Sequence, residues 1–238
     1  LIFTIKQVKQ ELNVSVAGKK GDFNIAYFVE PIKPLVLNVT NSKQIQKFAG
    51  NNPFTKNWKN IDKESQKSFE FFIKTFKKNI EVFDTPSYFD DIPKYHKIIH
   101  ETDMANNFQG YYKKSKKHLS KEMVSAIERG LKYSAKEYAE AIDFMKRSYE
   151  SYKEVFEDYH GVLTPSSAGV APKGLKSTGS PEFCTVWTYM GLPSISLPLL
   201  VGENNLPLGV QLIGDKLDDL RFLGVANWLE KNCKKYAK

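Results

Sequence analysis

Apolar residues recur at steps of three and four in stretches spread along most of the chain, and each such stretch predicts a helix with one buried face. Ile5, Val8, Leu12 and Val16 form the first, with Gly18 as its stop. Phe69, Phe72, Ile73 and Phe76 form another, and the carboxylate of Asp62 suits its N-cap. Asp91-Ile92-Pro93 opens a third, with the proline in the first turn, where a missing N–H costs little, and with Tyr95, Ile98 and Ile99 facing inward. Ser120 begins a helix in which Met123, Ile127 and Leu131 stand in line. Ser134 and Glu137 have the spacing of a capping box and precede the stripe Tyr138, Ile142, Met145, Tyr149, Tyr152 and Phe156, which predicts the longest helix of the chain. Asp218 or Asp219 caps a last helix, with Leu220, Leu223 and Leu229 inward and Lys231, Lys234 and Lys235 at its C-terminal end.

Short runs rich in branched residues predict strands at 35–39, 80–83, 162–163, 195–201 and 208–213. The last two are joined by Gly202-Glu203-Asn204-Asn205, which suits a hairpin. A strand, a helix and a strand between 35 and 83, with a polar and aromatic loop at 50–60, make a βαβ unit and imply parallel pairing. The pattern as a whole reads as α/β, a mixed β-sheet flanked by helices. Residues 1–160 are expected to be mainly helical with short strands, and 161–238 to supply strands, loops and a C-terminal helix.

Composition narrows the class. The chain has 238 residues, 41% hydrophobic and 26% charged, long enough to bury a core and unlike a disordered protein. The formal charge of +8 rests on 35 basic residues, of which only three are arginine, and a lysine excess without arginine forks reads as a basic surface. Nucleic acid is therefore not an expected partner, and the densest basic stretch, Tyr111, Tyr112, Lys113, Lys114, Lys116, Lys117 and Lys121, is read as an exposed loop before a helix. Cys184 and Cys233 have neither disulfide-framework nor zinc spacing, which suits a reduced cytoplasm. No apolar run approaches the roughly 18 residues of a membrane helix, so no membrane partner is expected. His96 and His100 stand one helical turn apart without the glutamate of a zinc hydrolase between them, so they read as surface residues. His160 reads as a helix-end cap. No metal and no cofactor are implied.

The stretch 161–214 is different in kind. It holds 8 of the 14 glycines and 6 of the 11 prolines but only four charged side chains, Lys173, Lys176, Glu182 and Glu203. Glycine and proline punctuating short apolar runs read as buried strands joined by tight loops, the floor of a pocket. Its motifs come in a fixed order: Leu-Thr-Pro at 163–165, Gly-Val-Ala-Pro at 169–172, Thr178-Gly179, Phe183, Trp187, Gly-Leu-Pro at 191–193, Ser-Leu-Pro at 196–198, and Leu-Pro-Leu-Gly-Val-Gln-Leu-Ile-Gly at 206–214. In this order they resemble the C-terminal half of the amidase signature family. Tyr138 and Ala141 extend the resemblance upstream, and residues 1–22 resemble the helix that follows the catalytic segment in that family.

The resemblance implies serine-based hydrolysis of a carboxylic amide through an acyl-enzyme, on a mixed α/β sheet, with a lysine and a second serine assisting the nucleophile. Those groups belong to a Gly/Ser-rich segment that does not occur in this sequence. The expectation is a chain that supplies the non-catalytic half of a single domain, including the substrate pocket, and is inactive alone. A small-molecule amide and the missing catalytic half are its expected partners, together with self-association. Ser166 and Ser167 are not the nucleophile pair, because the resemblance places Thr164-Pro165 on a different strand and no lysine lies at a suitable spacing. Thr178, Gly179, Phe183 and Trp187 are the expected substrate-binding residues, on a loop and helix bordering the acyl pocket. An amidotransferase subunit that acts on misacylated tRNA, or a catalytically inactive small-molecule-binding or partner-binding protein, fits the same motifs.

Overall fold

The computed structural model describes residues 48–51, 60–76, 79–83 and 86–233. The expected helix at 5–16 and strand at 35–39 lie outside them. A five-stranded mixed sheet forms the centre: β1 (Phe48–Asn51), β2 (Ile80–Phe83), β3 (Val162–Pro165), β4 (Ser194–Val201) and β5 (Pro207–Ile213), in the order β2-β1-β3-β5-β4. β1 runs parallel to β2 and to β3, whereas β5 is antiparallel to both β3 and β4. The expected mixed sheet is present, and β4 and β5 form the expected hairpin around a short 3₁₀ turn at Glu203–Asn205. The first strand of the parallel unit is β1, at the boundary of the stretch read as a loop, and it is joined to β2 through α1 (Lys63–Thr75).

Helices cover both faces. α1 and α7 (Asp219–Cys233) pack on the face that carries Leu163, Leu212, Val210, Ile195 and Leu197. The opposite face carries Val162 and Ile213. It meets an aromatic-rich layer with Phe89, Tyr152 and Trp187, built from α2 (Ile92–Ser115), α4 (Ala135–Tyr152), α5 (Val155–Asp158) and α6 (Glu182–Met190). α3 (Lys121–Gly130) packs on α2.

Three of the expected N-caps form. Asp62 accepts from the Ser65 amide at 2.8 Å and Ser120 accepts from Met123 at 3.1 Å. The Ser134–Glu137 box closes in both directions. Three expectations change. The longest helix among the described residues is α2 with 24 residues, against 18 for α4, which stops at Tyr152 before α5. Tyr111 to Lys114 therefore lie in a helix and not a loop, held there by Tyr112, which donates to Glu128 of α3 at 2.8 Å. Leu220 is 39% exposed, because Phe222, packed against Gly214, occupies the inward position of that turn.

Candidate functional site

β3, β5 and β4 place a row of polar side chains in an otherwise apolar sheet. Thr164 and Ser196 are the cross-strand partners of Gln211 on either side, so the three stand side by side on the face covered by α6. Thr164 and Gln211 are each only 3% exposed. Ser166, the first residue beyond β3, is fixed by its amide, which donates to the Gly209 carbonyl at 3.1 Å. Its Oγ lies 2.7 Å from Ser196 Oγ. Both hydroxyls rest over Gly209, where a β-carbon would collide with each of them, so this glycine is required by close approach.

α6 covers the row with Cys184. Its thiol donates to Gln211 Oε1 at 3.4 Å and approaches the Ser166 carbonyl at 3.7 Å. Burial pushes the thiol pKa up, so Cys184 stays a protonated donor. Gln211 Nε2, at the other end of the carboxamide, is buried and has no hydrogen-bond partner among the described residues. No basic side chain among them hydrogen-bonds to Ser166 or Ser196. A serine needs a base within hydrogen-bond reach to attack an amide at a useful rate. Ser167 turns away, donating to the Gly169 carbonyl at 2.6 Å.

The connection from β3 to α6 carries Thr178 and Gly179, both exposed. Gly179 has φ of 86°, a conformation suited to glycine, and its amide donates to Ser177 Oγ. The connection is pinned at its start by the Asp62 amide, which donates to the Ala168 carbonyl, and at its end by Asn60, which donates to Glu182. Phe183 is half-buried against the Leu163 side of the core. Trp187, one turn on, is 3% exposed between Phe89 and Tyr152, with ring centroids 5.9 and 5.8 Å away. The four expected residues thus share one connection and one helix but do not converge on a point. Gln211 and Ser196 complete this polar cluster without having been singled out by the sequence pattern. The available signal was a polar residue at an inward position of an apolar strand, since buried polar groups need partners.

A second polar cluster follows β5 at the opposite end. Tyr149 donates to Asp215 at 2.9 Å, and Lys216 Nζ lies 3.7 Å from the centre of the Tyr149 ring. Burial, and then the Asp215 carboxylate, push the phenol up to about 12, while burial pulls the Lys216 ammonium down. Phe156, His160, Asp218 and Arg221 enclose a small cavity beside it. Arg221 donates to the carbonyls of Phe156 and Tyr159, a link between α5 and α7. His96 and His100 stack with centroids 5.7 Å apart. No group of three or more His, Cys, Asp or Glu side chains that could hold a metal occurs among the described residues, nor does any helix long and apolar enough to cross a membrane.

Residues 6–223 match the family described as Amidase, and the chain belongs to that family. Over 101 residues it is 34% identical to a glutamyl-tRNA(Gln) amidotransferase subunit of Alkaliphilus metalliredigens, covering 40% of this chain and 21% of that protein. Over 113 residues it is 30% identical to a fatty acid amide hydrolase of Medicago truncatula, covering 42% and 19%. A solved amidase structure superposes with a TM-score of 0.68 at 18% identity, over 80% of this chain and 46% of that one. The structure of a glutamyl-tRNA(Gln) amidotransferase subunit from Thermotoga maritima gives 0.59 at 22%, over 79% and 42%. These structures establish the fold. The matched region spans about a fifth of those two curated relatives and less than half of those two solved structures.

Proposed function

We propose that this chain forms the substrate-pocket side of an amide-hydrolysing enzyme. The observation that carries the reading is the family match over 6–223, which includes the strands and the loop of the polar site. In this reading residues 1–238 are part of a single domain whose remainder supplies the nucleophilic serine, the bridging serine and the lysine. The serine oxygen attacks the amide carbonyl, the amine leaves with the proton relayed through the bridging serine, and water then releases the acid from the acyl-enzyme. Thr178, Gly179 and Phe183 border the acyl pocket. Trp187 serves it by fixing α6 within the aromatic layer.

A second reading, an amidotransferase subunit that acts on misacylated tRNA, is favoured by the names of several relatives that match about two fifths of the chain. The test is ammonia release by the full-length gene product, from a panel of primary amides and from glutamine, with and without tRNA charged with glutamate. Release from free amides alone supports hydrolysis. Release coupled to charged tRNA supports the second reading, and no release under any condition defeats both.

A further inference from the structure

The row across β3, β5 and β4 holds unspent hydrogen-bond donors. A neutral carboxamide has two donors on nitrogen and one acceptor oxygen. Cys184 occupies the oxygen of Gln211, and the nitrogen, on a residue 3% exposed, has no partner among the described residues. Beside it, Ser166 and Ser196 consume one hydroxyl proton in their mutual bond, which leaves the other hydroxyl proton to donate. Among the described residues no ion pair involves any of these side chains, all of them neutral groups. Ser166, Ser196 and Cys184 are only half-buried, and the β3–α6 connection starts at Ser166, so the hydroxyl edge of the row lies beside that connection while Gln211 lies deeper.

A buried donor without an acceptor carries a desolvation penalty that an incoming oxygen would offset. A carboxylate would arrive without a cation to meet it, whereas an uncharged carbonyl matches both the donors and the neutrality of the row. From this we infer that Gln211, with Ser166 and Ser196, is a subsite for the carbonyl oxygen of a neutral amide ligand. The inference rests on the amide-hydrolase reading for the class of ligand, and Gln211 is a positioning residue that holds the carbonyl oxygen without itself forming or breaking a bond. Gly209 is part of the subsite because it alone lets both hydroxyls approach the strand.

The test uses the full-length gene product and benzamide, with benzylamine as the partner lacking a carbonyl. Calorimetric binding and hydrolysis to benzoate and ammonia are measured for the native protein, Gln211→Met and Ser196→Ala, each checked by melting temperature. The inference expects benzamide but not benzylamine to bind, and Kd or KM to rise about tenfold in Gln211→Met with the melting temperature held, the size of one lost neutral hydrogen bond. Binding that depends on Gln211 without any hydrolysis keeps the subsite and removes the hydrolase reading. Hydrolysis with KM unchanged in Gln211→Met keeps the hydrolase reading and overturns the subsite. A fall in melting temperature with affinity unchanged overturns it as well, since Gln211 would then serve the fold, and so does failure of benzamide to bind the native protein.

Discussion

At the scale of single residues, the buried charge of α2 is the most informative. Glu101 is 3% exposed, which would ordinarily raise its pKa, yet it accepts from Arg129 at 2.7 and 2.9 Å and from Tyr133 at 3.2 Å. Burial opposes the charged form, but the bonds and charge of Arg129 outweigh it, and the carboxyl titrates below its ordinary value of 4.5. A depressed folded pKa gives stability that is present in full above the ordinary value and is lost as pH falls below it through the folded value. The melting temperature of the native protein should therefore fall between pH 5 and pH 3 more steeply than that of Glu101→Gln, and equal slopes would remove the pair from the acid response. Arg129→Met should lower the melting temperature at pH 7, because Glu101 would stay buried without its cation, though by less than for a fully buried pair because the arginine is half-exposed. None of this is legible in sequence, where Glu101 looks like one more helix-surface carboxylate. Gln211 is hidden for a similar reason, because its inward side chain follows from the register of β5.

Among the elements, caps are readable and lengths are not. Asp62, Ser120 and Ser134 announce their helices because a capping bond is local and spans three residues. The end of α2 escapes the local pattern because Asn106, Asn107 and Gly110 are poor helix formers. Past them the helix is tied to α3 by Tyr112, which donates to Glu128, a contact that lies outside any local window. The cap of α1 has a further effect. Asp62 also accepts from Ser65 Oγ at 2.6 Å, and its own amide holds the Ala168 carbonyl at the start of the β3–α6 connection. A β-carbon on Gly169 would strike the Asp62 carboxylate, so helix cap and loop are packed as one unit. Asp62→Ala should lose about 1 kcal/mol of stability from the cap. It should also speed proteolysis within 168–180, whereas Ser134→Ala should lose a similar amount and leave that cleavage unchanged. Equal protection of the loop in both variants would separate the cap from the site.

For the molecule as a whole, the class of fold is legible and its wiring is not. Alternating strand and helix patterns point to a sheet flanked by helices, but the order β2-β1-β3-β5-β4 joins strands far apart in sequence, and only the β4–β5 hairpin has a local signal. That wiring concentrates stability unevenly. β5 is paired on both sides, and Val210, Leu212 and Ile213 are fully buried between the two helical layers. The distal part of α2 buries no side chain after Ala105, and α3 buries only Ala126, Ile127 and Gly130. The exposed pair of Lys116 with Glu128 adds little to that arm, since solvent screens such pairs. Local opening follows buried contact, so amide exchange should be slowest at 210–213 and faster through 106–125, with the aromatic layer between them. If 106–125 were as protected as β5, the helical arm and the sheet would open as one cooperative unit. The polar cluster would then share the stability of its most exposed helices, whereas its place on β3, β4 and β5 sets Gln211 and its neighbours on and beside a strand that is paired on both sides and deeply buried among the described residues, so that they are expected to open late and independently of the arm.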